Sequence, residues 1–178
     1  HEGNDTLNGG NGQDSVYGGI GNDLIQDTNE DGATGADLLV GDDGNDSIYA
    51  WGGNDTVSAG TGNDLAFGGI GNDEVYGGSG NDTLQGGNGR DSVFGGNGAD
   101  IIRDTGEGGD AGSDMFAGGA GNDSIFAWGG NDEISGEDGD DQAFGSVGND
   151  TLYGGAGKAA LKGNHGDDEL LGGAGKDN

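Results

Sequence analysis

The sequence predicts an all-β protein, a right-handed parallel β-roll (β-solenoid) in which short strands stack coil upon coil into two sheets. Three observations predict it: a strict nine-residue period, a composition that cannot line a globular core, and glycine and aspartate at fixed places in every period. Internal repeats take precedence over local propensity, because a period of this kind dictates the architecture.

From Gly9 the chain reads GGNGQDSVY and GGIGNDLIQ. After five further residues it continues GATGADLLV, GDDGNDSIY, AWGGNDTVS, AGTGNDLAF, GGIGNDEVY, GGSGNDTLQ, GGNGRDSVF and GGNGADIIR. A second five-residue insert precedes GDAGSDMFA, GGAGNDSIF, AWGGNDEIS, GEDGDDQAF, GSVGNDTLY, GGAGKAALK and GNHGDDELL. These seventeen units, the inserts 27–31 and 104–108, and partial units at 1–8 and 172–178 account for all 178 residues. Each unit has the form G-G-x-G-x-D-x-U-x, with U apolar.

Composition bounds the class. Glycine supplies 48 residues and proline none; 34 acidic side chains face 5 basic ones, for a net charge of -29. Only 29% of residues are hydrophobic, so without a compensating partner such a chain would stay disordered. A bound divalent cation is the natural compensation, because it neutralises carboxylates and orders backbone together. The absence of cysteine excludes disulfides and thiolate metal sites. Strong acidity argues against nucleic acid and anionic membrane surfaces, and no apolar run reaches the length of a membrane span. The chain begins at His1 rather than Met and neither end carries a recognisable cap, so it reads as a single roll, 1–178, cut from a longer protein.

Within a unit, the glycines permit the positive φ of a tight turn, so the first six residues are read as turn and the last three, x-U-x, as a minimal strand. The apolar positions, from Val16 and Ile25 to Leu161 and Leu170, then form a thin two-sheet interior. Two units make one coil, so units n and n+2 stack on the same edge. About nine coils at ~4.8 Å give a rod of roughly 45 Å.

The repeat resembles the RTX, or hemolysin-type calcium-binding, nonapeptide family over essentially the whole chain. That resemblance implies multiple Ca2+ ions between stacked turns, held by the aspartate at position six and by turn carbonyls. The chemistry agrees, since calcium takes six to eight hard oxygens. The implied ligands are Asp5, Asp14, Asp23, Asp37, Asp46, Asp55, Asp64, Asp73, Asp82, Asp91, Asp100, Asp114, Asp123, Asp132, Asp141, Asp150, Asp168 and Asp177. Carbonyl ligands are expected from Gly12, Gly21, Gly44, Gly60, Gly62, Gly69, Gly71, Gly78, Gly80, Gly87, Gly89, Gly96, Gly98, Gly119 and Gly121. Ala159 stands where aspartate is expected, so the flanking sites should be weak or empty. At most seventeen same-edge gaps are available, and neutralising the net charge takes about 15 divalent ions. Without metal, the aspartate rows would repel along the whole roll.

A second period of 77 residues divides the chain into 27–103 and 104–178. DTNED at 27 aligns with DTGEG at 104, and AWGGND at 50 with AWGGND at 127. Eight nonapeptides plus an insert make four coils, so both inserts should emerge on one edge. Trp51 and Trp128 either pack against their insert loops or stand in solvent. The inserts are acidic (Asp27, Glu30, Asp31; Asp104, Glu107) and form either a further cation site or plain polar loops. The position-nine aromatics, including Tyr49, Phe67, Tyr76, Phe94, Phe126 and Phe144, either pack across strands or present a docking row. His1 and His165 read as solvated.

No acidic residue stands in a distinct environment, so the chain is not read as an enzyme. The resemblance implies a calcium-dependent folding and stabilising module of a secreted bacterial protein, exported by type I secretion to an extracellular or cell-surface location. A calcium-rigidified spacer or self-assembling filament or adhesin segment, associating with other copies of itself, is the alternative. An accessory part of a secreted enzyme is a further one. Ice binding would need a regular column of Thr or Asn, and neither position-three column is regular.

Overall fold

The computed structural model describes residues 2–27, 35–105 and 112–178. Two nine-stranded sheets, wholly parallel, form the two faces of a solenoid. One contains β1 (Thr6–Asn8), β3 (Leu24–Gln26), β5 (Ser47–Tyr49), β7 (Leu65–Ile70), β9 (Thr83–Asn88), β11 (Ile101–Arg103), β13 (Ser124–Phe126), β15 (Gln142–Val147) and β17 (Ala160–His165). The other contains β2 (Ser15–Ile20), β4 (Leu38–Asp43), β6 (Thr56–Thr61), β8 (Glu74–Ser79), β10 (Ser92–Asn97), β12 (Met115–Ala120), β14 (Glu133–Asp138), β16 (Thr151–Tyr153) and β18 (Glu169–Leu171).

Each strand pairs with the strand two units away, as the two-units-per-coil reading requires. The offset is 18 residues in plain coils, as in Val57↔Val75, and 23 where an insert intervenes, as in Val16↔Leu39 and Ile25↔Ile48. The insert therefore leaves the coil parity intact. Both inserts lie in turns that lead from the β1 sheet to the β2 sheet, after β3 and after β11, and so emerge on the same edge.

The position-eight side chains form the core. Ile25, Ile48, Ala66, Leu84, Ile102 and Ile125 from one sheet face Leu39, Val57, Val75, Val93, Phe116 and Ile134 from the other, all fully buried or 1% exposed. Each large aliphatic contributes about 1.5–3 kcal/mol by leaving water. Outside, rings stack between coils: Tyr49 on Phe67 at 5.1 Å, Tyr76 on Phe94 at 5.0 Å and Phe126 on Phe144 at 5.0 Å, each pair within 9° of parallel. Cross-strand packing thus occupies most of these aromatics. Arg103 caps the ring of Phe126, and Lys162 that of Phe144.

The strands are longer than three residues in most coils, which corrects the sequence reading. β2, β4, β6 to β10, β12, β14, β15 and β17 run six residues, from position seven through position three of the next unit. The residues at positions two and three are therefore paired with the next coil, position two at positive φ, and the turn proper shrinks to positions four to six. Neighbouring coils supply the cause: position-three and position-four amides find axial partners, as in Ile70 N–H to the Trp51 carbonyl (2.7 Å) and Gly44 N–H to the Thr61 carbonyl (2.8 Å).

Two kinds of turn position differ in what they tolerate. Position four is glycine in every full unit, with φ reaching 133° at Gly62 and 143° at Gly71, a region closed to other residues. Among the described residues, the six non-glycine residues with positive φ (Asp42, Trp51, Trp128, Glu137, Ser146, Asn164) all occupy position two, where φ is only 62–82°. Trp51 and Trp128 are more than half exposed there. Their contact with the inserts concerns residues 28–34 and 106–111, which lie outside the described residues, as do His1, Glu30, Asp31 and Glu107. His165 is exposed.

Candidate metal centre

The turns stack into two edges, and each exposes the same backbone problem. Position-seven amides donate to the aspartate carbonyl of the preceding coil, for example Ser47 to Asp23 at 2.8 Å. The amides of positions five and six have no such backbone partner, apart from the long bond of Asn54 N–H to the Gly35 carbonyl at 3.3 Å. Side chains supply it, in opposite directions along the axis.

At position six, the Asp Oδ1 of one coil accepts from the aspartate N–H of the coil before. Asp14 N–H donates to Asp37, Asp23 to Asp46, Asp64 to Asp82 and Asp132 to Asp150, at 2.7–3.0 Å. The pattern spans fifteen of the seventeen gaps. The remaining two flank Ala159, whose own N–H still donates to Asp177 at 3.1 Å but which has no carboxylate to offer Asp141.

At position five, asparagine runs the other way. Asn22 accepts from Asn45 N–H, Asn45 from Asn63, and Asn63 from Asn81, at 2.7–2.8 Å. Sequence reasoning passed over this outer ladder, although the recurring tripeptide GND carried the signal. In the repeat G-G-x-G-x-D-x-U-x, position five carries no assignment.

The carboxylates are left half used. Asp Oδ2 is buried without a hydrogen-bond partner at Asp5, Asp14 and Asp23, and at every position-six aspartate from Asp37 through Asp150. Fourteen position-six aspartates, from Asp23 through Asp150, are 3% exposed or less. Asp5, Asp14 and Asp168 are half-buried and Asp177 is exposed, so the ends of both columns open to water. A row of orphaned, buried, anionic oxygens is costly unless a cation pairs with it.

What surrounds each orphan is backbone oxygen. A Cβ built on Gly18 would fall against Oδ2 of Asp23 and the carbonyl of Gly41; one on Gly41 would meet Oδ2 of Asp46 and the carbonyl of Ala59. The same cradle recurs at Gly68, Gly77, Gly95, Gly118 and Gly136. Position-one carbonyls, absent from the sequence-derived set, therefore share the space of the free carboxylate oxygen. Of that set, the position-four carbonyls of Gly21, Gly44, Gly62, Gly71, Gly80, Gly89 and Gly98 point at the next coil, and a Cβ on the facing glycine would meet them. Those of Gly12 and Gly121 lie the same way, against Gly35 and Gly139. The position-two carbonyls of Gly60, Gly69, Gly78 and Gly96 also face the following coil. Gly87 and Gly119 sit in the same strand register. Carboxylate plus carbonyl oxygens, with no nitrogen or sulfur, is the donor set of a hard cation, and the residues present fit calcium. Among the described residues, no three acidic or histidine side chains converge on one point; the gaps combine carboxylates with main chain.

Electrostatics agree. Burial pushes Asp64, Asp73, Asp82, Asp123 and Asp141 up to about 6, and Asp55, Asp91 and Asp132 up to about 7, with neighbouring aspartates of the same column adding to the rise in most of them. The roll sets its carboxylates against desolvation and mutual repulsion, both of which a divalent ion would relieve.

No curated protein matches the chain. The family described as RTX calcium-binding nonapeptide repeat (4 copies) matches residues 1–25, 31–66, 67–102, 108–143, 135–158 and 144–178. The matched segments break off just before each insert, at 25 and 102, and resume at its last residue, 31 and 108, and they cover most of the chain. With its repeat, its two-sheet solenoid and its aspartate columns in register, this chain belongs to the RTX calcium-binding nonapeptide repeat family.

Proposed function

We propose that the chain is a calcium-folded module, in which ions fill the gaps between stacked turns on both edges and calcium binding is coupled to formation of the roll. The carrying observation is the continuous row of buried Asp Oδ2 atoms without partners. Each ion would take Oδ2 of the position-six aspartates together with position-one, position-two and position-four carbonyls. Fifteen gaps have aspartate on both sides, close to the roughly 15 divalent ions that the net charge of -29 calls for. An ion that binds only the folded state stabilises it by mass action at each site. Low calcium inside a cell and high calcium outside would then keep the chain unfolded before export and folded after it, which suits a secreted, extracellular or cell-surface protein. The chain is read as non-enzymatic.

A second reading, a stiff calcium-set spacer that displays features on one edge, is favoured by the 77-residue repetition of the inserts and of Trp51 and Trp128 on that edge. Calcium titration followed by far-UV circular dichroism and sedimentation, with magnesium as control, tests both. Cooperative β-structure that appears with calcium alone supports the module. Concentration-dependent assembly in calcium supports the spacer that associates with further copies. A chain already folded in chelator overturns the calcium-coupled reading.

A further inference from the structure

Asp27 and Asp104 open the two inserts, and the register assigns them a place the sequence did not. Asp27 N–H donates to the Tyr49 carbonyl (2.9 Å), as Gly9 N–H does to Gln26 and Ala50 N–H to Phe67. Asp104 N–H donates to the Phe126 carbonyl in the same way. Both residues therefore stand in the position-one column, otherwise glycine or alanine on this edge, and the additional residues follow them instead of starting with them. Position one is where a side chain points into the cradle beside the position-six carboxylate.

At Asp27 the cradle holds a second carboxylate. Asp27 is fully buried, and its Oδ1 accepts from Gly10 N–H in the preceding coil (3.0 Å). This parallels Asp37, whose Oδ1 accepts from Asp14 N–H in that coil. The Oδ2 atoms of Asp27 and Asp37 are both buried without a partner, and the two carboxyl groups lie within hydrogen-bonding reach of each other. Two acceptor-only groups so placed need something positive between them. Asp104, 1% exposed, stands 77 residues on in the same backbone register, ten residues before Asp114 as Asp27 is before Asp37.

We propose that Asp27 with Asp37, and Asp104 with Asp114, form two calcium sites of doubled carboxylate charge at the base of the inserts, binding calcium more tightly than the other turns and anchoring each insert to the roll. This rests on the calcium reading above. More anionic ligands around calcium raise affinity, and a site that closes the root of a long loop offsets the loss of loop entropy.

The test uses the 178-residue chain and calcium itself, in competition with a chromophoric chelator, which reads the tightest ions first. Wild type should retain two calcium equivalents held about tenfold more tightly than the rest. Asp27→Asn with Asp104→Asn, which keeps the acceptor for Gly10 and removes the charge, should lose that phase and leave the weaker ions unchanged. Each single variant should lose one equivalent, which keeps the test decisive if the double variant fails to fold in saturating calcium. Asp42→Asn with Asp138→Asn, an equal loss of charge at exposed positions, should leave the tight phase intact. A tight phase preserved in the Asp27 and Asp104 variants, or weakened equally by the exposed pair, overturns the proposal. A wild-type chain that takes up no calcium overturns the calcium reading instead.

Discussion

The two edges of the roll are built from the same nonapeptide and yet differ. The plain edge, where turns lead from the β2 sheet to the β1 sheet, carries an unbroken asparagine ladder from Asn4 to Asn81. Its aspartate column then fails at Ala159. The insert edge keeps its aspartate column from Asp14 through Asp168, straight across both inserts, while its asparagine ladder is reduced to Asn54–Asn72 and Asn131–Asn149, because Ala36, Arg90 and Ser113 stand where asparagine would continue it. Across the inserts the inner ladder is the one that persists: a five-residue insertion is absorbed without breaking the aspartate column, whereas the outer ladder breaks there and also at Ala99 on the plain edge.

The largest effect is set by charge on both edges. In chelator, burial holds the mid-column aspartates, among them Asp55, Asp91 and Asp132 on the insert edge and Asp64, Asp82 and Asp123 on the plain edge, above their ordinary value of 3.8, so the folded chain binds more protons than the unfolded one between about pH 4 and pH 7. That contribution to stability is complete below the unfolded value and is lost as pH rises through 6 to 7. Metal-free chain at pH 5 should therefore gain β-structure that it lacks at pH 8, and apparent calcium affinity should rise over the same interval. Carboxyl carbon resonances of the acidified chain would follow it residue by residue: Asp55, Asp73, Asp91 and Asp132 on the insert edge and Asp64, Asp82, Asp123 and Asp141 on the plain edge should all ionise at about 6 to 7, well above the ordinary value. A chelated chain indifferent to pH would break this account.

Next comes a change to which both edges should respond alike. Gly62 and Gly71 occupy position four on the plain and insert edges, and a Cβ on either would strike the carbonyl of Gly44 or Gly53. Gly62→Ala and Gly71→Ala should each cost about 3–5 kcal/mol, from backbone strain and overpacking together. At Gly60, in position two, φ is 117° and a Cβ would also meet a carbonyl, that of Asp42, but Asp42 and Asn164 hold position two at 74°, so Gly60→Asn should cost less than either position-four change. Denaturant midpoints in saturating calcium measure all three, and equal costs at positions two and four would refute the distinction.

Smaller, and confined to the plain edge, is the repair of its gap. Ala159 is 1% exposed, in a slot where every neighbouring coil has aspartate, and it leaves Asp141 N–H without the carboxylate that its counterparts receive. Ala159→Asp should stabilise the calcium-bound roll by about 1–3 kcal/mol and add calcium equivalents. Chelator competition and thermal melting would both register it. An unchanged ion count would mean that the C-terminal coils do not use the column.

Most of this architecture was legible in the residues. The period assigned the strands to two sheets, the apolar column to the core and the aspartates to stacked turns; Ala159 was identified as the broken position. Features set by the neighbouring coil were not. The extension of strands through the glycine pair depends on axial partners for amides that look, in one unit, like those of a turn. The cradle carbonyls at position one depend on peptide orientation, which residue type does not encode. Asp27 belongs to the turn because of a hydrogen bond to Tyr49, not because of its neighbours in sequence. The outer asparagine ladder had its signal in the recurring GND, but its use became apparent only once the backbone donors had been counted.

That ladder supplies the smallest and finest test of the two edges. On the plain edge, Asn63 accepts from Asn81 N–H and donates its own N–H to Asn45, in the middle of a continuous run. Asn72, on the insert edge, accepts from Arg90 at 2.9 Å in a short run. Both sites are exposed, so Asn63→Ala should cost about 1 kcal/mol and Asn72→Ala about half of that, the difference reflecting reinforcement along the longer chain of bonds. The converse is more telling. Asn54 N–H, where the ladder is broken, makes a long 3.3 Å bond to the Gly35 carbonyl. Ala36→Asn and Ser113→Asn would give Asn54 and Asn131 the acceptor that other coils provide, and each should stabilise the roll by about 0.5–1 kcal/mol. Thermal melting at fixed calcium would detect the pair together. If these repairs change nothing while Asn63→Ala still destabilises, the inserts have replaced the ladder with contacts of their own, and the insert edge is the better-built of the two.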